Sequence, residues 1–130
     1  MIITDDSAPI RELAENIAAV IGGFQGYSAA VIPAESFSGS ELLPAYAFFL
    51  GCEAPGPSSF IYIETLLQHI NLAGRPCGIF STGSKTLKYL SSLIRDSEPA
   101  VGKPFLVKGG AADNDKLQGW VHGILKRRGN

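Results

Sequence analysis

Charge of one sign is the first thing this sequence lacks. Its 11 basic residues meet 12 acidic ones, for a formal net charge of -1. So even a balance leaves no electrostatic footprint for nucleic acid or for an anionic membrane surface. Long apolar runs are missing too: no segment reaches the roughly 18 residues that a membrane-spanning helix needs. The N-terminus has no basic region ahead of an apolar stretch, which argues against a signal peptide and makes a cytoplasmic address the expectation. Cysteine and histidine are scarce, two of each. Cys52 and Cys77 have no metal-ligand spacing and border apolar runs, so both are expected as buried free thiols. His69 and His122 fall on helices with no Cys or acid placed to complete a zinc or catalytic pattern. No metal site and no catalytic residue is therefore expected, and an enzyme is not the expected class.

What is present is a regular alternation. The chain has 130 residues, 45% of them apolar, which suits a single domain over residues 1–130 with one core. Met1 to Thr4 is a minimal strand. Ile10, Leu13, Ala14, Ile17, Ala18 and Ile21 then repeat at helical spacing until Gly22-Gly23. Tyr27 to Pro33 is a second apolar run, followed by ESFSGSELLPA, which allows no more than a turn or two of helix. Tyr46 to Gly51 (YAFFLG) is apolar without alternation, as in a parallel strand covered on both faces. A Pro/Gly/Ser loop leads to a helix with a stripe of Phe60, Ile63, Leu66, Leu67 and Ile70. PCGIFST gives a fourth strand, and Ser84 is placed to cap a helix carrying Leu87, Leu90, Leu93 and Ile94. PFLVKGG reads as the fifth strand. Leu117, Trp120, Val121, Ile124 and Leu125 mark the last helix, and Lys126-Arg127-Arg128 complement its dipole at the end.

Five strands alternating with helices predict an α/β three-layer sandwich: a five-stranded parallel sheet of order 2-1-3-4-5, helices on both faces, right-handed crossovers. Trp120 is expected on the sheet-facing side of its helix. Ligands in such sheets sit beyond the carboxyl ends of the strands at the topological switch point. That places the candidate site on three loops: Asp5, Asp6, Ser7 and Ala8 after the first strand; Cys52, Glu53, Ala54 and Pro55 after the third; Ser81, Thr82, Gly83 and Ser84 after the fourth. A small ligand or a protein partner is expected there.

Over nearly its whole length the chain resembles a flavodoxin. The stretches that carry the resemblance are LAENIA in the first helix, SELLPAYAFFLGC along the third strand and LAGRPCGIFSTGS across the fourth. The resemblance implies the flavodoxin-like fold and FMN as cofactor, with electron transfer as the activity. It also implies a loop of the type Ser/Thr-x-Thr-Gly-Asn-Thr, whose N–H groups and hydroxyls hold the FMN phosphate at a helix N-terminus. Counting back from LAENIA, that motif falls on Asp5-Asp6-Ser7-Ala8-Pro9-Ile10. Only the hydroxyl of Ser7 survives; Asp5 and Ile10 replace hydroxyls, Ala8 replaces the Gly, and Pro9 deletes a donor. A carboxylate about 5 Å from a dianionic phosphate implies on the order of 6 kcal/mol of repulsion at an effective dielectric near 20. That rivals the roughly 8 kcal/mol of a micromolar ligand. Neither the loop GCEAPGPSS nor STGSKTLKY offers an aromatic for the flavin ring ahead of Tyr89, which falls on a helix. The reading is thus a flavodoxin-like binding or regulatory module in which FMN binds weakly or not at all; the alternative is an electron carrier that holds FMN atypically.

DDSAPIRELAENI also resembles the start of response-regulator receiver domains, and Lys108 fits their fifth strand. Their phosphoacceptor Asp would end the third strand, where this chain has Gly51 or Cys52, with Glu53 as the nearest acid. A complete Mg²⁺ site cannot be assembled from these residues, which leaves at most a pseudo-receiver used as an interaction surface. Apart from either family, Asp5 and Asp6 fit a plain role, one of them capping the first helix and both favouring its positive end. GIFSTGSKT misses a phosphate loop by the extra Ser between Gly83 and Lys85. Ser81, Thr82 and Ser84, with Lys85, could meet a small anion at the fourth helix, though capping by Ser84 is the simpler use.

Overall fold

A computed structural model of the chain describes residues 1–108 and 113–126. The chain runs β1 (Ile2–Thr4), α1 (Ala8–Gly22), β2 (Val31–Pro33), α2 (Gly39–Leu42), β3 (Phe48–Gly51), a 3₁₀ turn (Ser58–Phe60) into α3 (Ile61–His69), β4 (Pro76–Ser81), α4 (Ser84–Leu93), a second 3₁₀ turn (Arg95–Ser97), β5 (Ala100–Val101), β6 (Phe105–Leu106) and α5 (Asn114–Leu125). All strand pairs are parallel, in the order β2-β1-β3-β4-β5, with β6 also pairing β4.

The expected fifth strand is therefore split. Ala100 and Val101 pair with Pro76 and Cys77, while Phe105 and Leu106 pair with Phe80 and Ser81. Between them lie Gly102, Lys103 and Pro104, and a proline cannot donate to a ladder. Sequence reading found only the second half, because two residues are too few to show a period. The second strand is shorter than expected, and α2 is the single turn that ESFSGSELLPA allows. The expected basic end of the last helix is seen only in part: Lys126 caps α5, whereas Arg127 and Arg128 lie outside the described residues.

Alternation along the strands feeds two cores. Ile2, Phe49 and Phe80 face α1 and α5, joining Ile10, Leu13, Ile17, Leu117 and Val121. Ile3, Phe48, Leu50, Cys52, Cys77 and Ile79 face α3 and α4, joining Phe60, Ile63, Leu67 and Leu90. Each fully buried Ile, Leu or Phe contributes about 1.5–3 kcal/mol of apolar burial. Arg75 Nη1 donates to the carbonyl oxygens of Leu42 and Leu43 at 3.1 and 2.8 Å, closing the C-terminal end of the short α2. Tyr89 links α4 to α3 by donating to Glu64 Oε2 at 2.6 Å. Burial first, then that carboxylate, pushes the Tyr89 hydroxyl pKa up.

Trp120 faces the sheet, its ring edge-on to Phe49 (5.5 Å) and Phe80 (6.5 Å) and 4.9 Å from Phe105. Its indole N–H donates to Lys103 O at 2.6 Å. Gly78 makes room for this cluster: a Cβ there would lie 2.7 Å from Phe49 and 2.9 Å from Trp120. Gly78→Ala is therefore expected to cost about 1–3 kcal/mol through overpacking. Urea unfolding followed by the emission of Trp120, the single tryptophan, measures this; unchanged stability would mean that the aromatic cluster yields freely.

Candidate functional site

The three candidate loops converge at the carboxyl ends of β1, β3 and β4. β1 stops at Thr4, and the Asp5 N–H still reaches Gly51 O at 3.3 Å, carrying the pairing with β3 one residue further. Asp5 is 8% exposed. Its Oδ1 accepts from Ser7 N at 3.3 Å and from Ser7 Oγ at 2.7 Å. Its Oδ2 accepts from Glu53 N at 2.8 Å. A buried carboxylate needs this: burial without donors would cost several kcal/mol, and bonds to charged acceptors contribute about 1.5–3 kcal/mol each.

The third loop is tied in by hydroxyls. Ser81, fully buried, donates from Oγ to Cys52 O at 2.7 Å, and the same oxygen accepts from Gly83 N at 3.2 Å. Thr86, buried in the first turn of α4, donates to Glu53 O at 3.1 Å. Both polar ends of the Glu53 peptide neighbourhood are thus engaged, the N–H by the first loop and the C=O by α4. Sequence reading missed Thr86, whose signal was a β-branched hydroxyl on the buried side of an amphipathic helix. It also missed the Glu53 backbone, for which a sequence carries no signal.

Several expectations need correction. The N-cap of α1 is Ser7, with extended backbone and no side-chain cap bond; neither Asp5 nor Asp6 caps the helix. Asp5 instead closes a local turn onto Ser7 and bridges to the next loop. Asp6 is exposed and pairs with Arg11 at 3.4 Å, both side chains largely in solvent, a contact worth about 0–1 kcal/mol. Ser84 is not a cap either: Gly83 holds that position in α4, again without a side-chain cap bond. The hydroxyl that does the local work is Ser81, because it ends a buried strand and can reach the turn from inside. Of the other predicted residues, Thr82 is half-buried, while Ala8, Glu53, Ala54, Pro55 and Ser84 are exposed around the rim. No group of three or more His, Cys, Asp or Glu side chains that could hold a metal ion occurs among the described residues.

Cys52 and Cys77 are both free and buried. Burial, with a further push from Asp5, raises the Cys52 thiol from 9.0 to about 12, and burial raises Cys77 as well. Neither is a thiolate nucleophile at neutral pH.

No family model matches this sequence, and neither does any curated protein. Among solved structures, the flavodoxin of Streptococcus pneumoniae TIGR4 is 15% identical, with a TM-score of 0.80 over 95% of this chain and 94% of that one. Flavodoxin 2 of Bacillus cereus, in its oxidised form, is 16% identical with a TM-score of 0.81, covering 95% and 94%. A short-chain flavodoxin associated with a non-canonical PDU bacterial microcompartment is 11% identical with a TM-score of 0.82, covering 96% and 95%. The fold is flavodoxin-like. At these identities the likeness concerns the backbone frame, and within that flavodoxin-like frame the loop chemistry has to be read from this chain's own residues.

The thiols supply a test of the site as described. The unfolded Cys52 thiol ionises near 9.0 and the folded one near 12, so its contribution to stability is complete below pH 9 and is lost as pH rises from there towards 12. Urea midpoints across the alkaline range should fall in that window. Disulfide-exchange reagents should label Cys52 and Cys77 only after unfolding; rapid labelling of Cys52 in the native protein would contradict its burial beneath the loops.

Proposed function

We propose that this chain is a flavodoxin-like binding module whose β1–α1 loop does not hold a flavin phosphate, and whose ligand or protein partner meets the carboxyl ends of the strands. One observation carries the reading: the Asp5 carboxylate takes the Ser7 N–H, the Ser7 hydroxyl and the Glu53 N–H. The two Ser7 donors lie on the segment where a phosphate-binding loop would stand, and they already serve an anion that belongs to the protein. Pro9 sits in the first turn of α1 and offers no N–H. The loops Gly51 to Ser59 and Ser81 to Ser84 contain no aromatic residue, so stacking on the isoalloxazine ring has no support there. These residues do not fit FMN held by its phosphate.

The second reading is an electron carrier that binds FMN through ring and ribityl contacts. The flavodoxins among the structural neighbours favour it.

Titration of FMN fluorescence distinguishes the two. The unmodified protein should show no submicromolar quenching at neutral pH. Asp5→Ser combined with Asp6→Gly should tighten FMN binding by about tenfold, or 1.4 kcal/mol. The same change should lower stability by about 1–3 kcal/mol, because the Glu53 N–H loses its buried acceptor. A protein that purifies yellow, or submicromolar quenching by the unmodified chain, would overturn the first reading in favour of the second.

A further inference from the structure

A second concave surface lies between the edge of the sheet and α5, bordering the third loop where Leu106 of its lining pairs with Ser81. It is a groove of about 570 Å³ whose lining includes Lys103, Phe105, Lys116, Gly119, Trp120 and Gly123. None of its lining residues belongs to the loops after β1, β3 or β4. Its volume falls within the range of small-ligand sites.

Three features point to one class of occupant. Trp120 and Phe105 are both half-buried and supply an aromatic wall. The bond from the indole N–H to Lys103 O and the contact with Phe49 hold the Trp120 ring in place, so a flat ligand would meet a surface already ordered. Lys103 and Lys116 are exposed at the groove, and neither has an ion-pair partner among the described residues. Finally, Gly119 and Gly123 lie inside α5, where glycine weakens a helix relative to alanine. Packing does not require them, because a Cβ at either position would meet nothing within 4 Å. Their effect is to keep the groove open beside the indole.

We propose that this groove binds a flat aromatic small molecule that carries negative charge, with the rings against Trp120 and Phe105 and the anion towards Lys103 and Lys116. The full chain is titrated with 8-anilinonaphthalene-1-sulfonate and, in parallel, with its uncharged parent N-phenyl-1-naphthylamine, while the emission of Trp120 is followed. The expected result is saturable quenching by the sulfonate that weakens as salt is added. Gly119→Leu with Gly123→Leu should weaken it by about tenfold by filling the groove. Lys103→Glu with Lys116→Glu should do likewise by reversing the charge, and the uncharged parent should bind less tightly than the sulfonate. The leucines enter open positions of a helix and should leave unfolding unchanged or later; if they disturb folding, the lysine pair decides. Absence of saturable quenching, equal affinity for the uncharged parent, or sulfonate binding untouched by the lysine pair would overturn the proposal.

Discussion

The Asp5 carboxylate is one buried charge with three donors on it, and the arrangement of the carboxyl end of the sheet depends on it. It fixes the turn into α1 through Ser7 and fastens that turn to the β3 loop through Glu53. The β3 loop is in turn held to β4 and α4 by Ser81 and Thr86. A chain of side-chain and backbone bonds thus crosses all three loops. Its ends are not free to rearrange around a ligand without first giving up a buried, charge-assisted contact.

Two glycines show how the sheet makes room for this end of the molecule. Gly51 closes β3 where the Phe80 ring lies so near that a Cβ would come within 2.2 Å of it. Gly78, one strand over, admits Phe49 and Trp120. The same aromatic layer thus packs α5 against the sheet and fills the space that the glycines of β3 and β4 leave. The layer also reaches the outer edge of the sheet, where Phe105 and Trp120 are only partly covered. Core packing and the lateral groove are consequences of one cluster.

Much of the fold was legible in the sequence because its signals are periodic. The stripes Ile10 to Ile21 and Leu117 to Leu125 mark helices that bury one side, and Phe48 to Gly51 reads as a strand covered on both faces. The strand order followed from the alternation of elements and the handedness of crossovers. The site was legible only as a place. That Asp5 departs from a phosphate-binding loop could be seen in the residues, but its partners could not, because the Glu53 N–H is a backbone group 48 residues away. Capping was misjudged for the same reason: Ser84 has the right side chain at nearly the right position, whereas Ser81 acts from the strand interior, where only the three-dimensional turn brings it to Gly83. The split of the fifth strand was hidden in Ala100 and Val101, too short a run to carry a pattern.

The central claim is that the donors of the first and third-strand loops are already committed to Asp5. Nuclear magnetic resonance tests it most directly, by comparing the shifts and hydrogen exchange of the Ser7 and Glu53 amide protons in the unmodified protein with those in Asp5→Ala at neutral pH. The account predicts that both amides are protected in the unmodified protein and that both move upfield and lose protection when the side chain is removed. Amides that exchange freely in the unmodified protein, or that are unchanged in Asp5→Ala, would show that Asp5 does not join the two loops and would leave their N–H groups available to an anion.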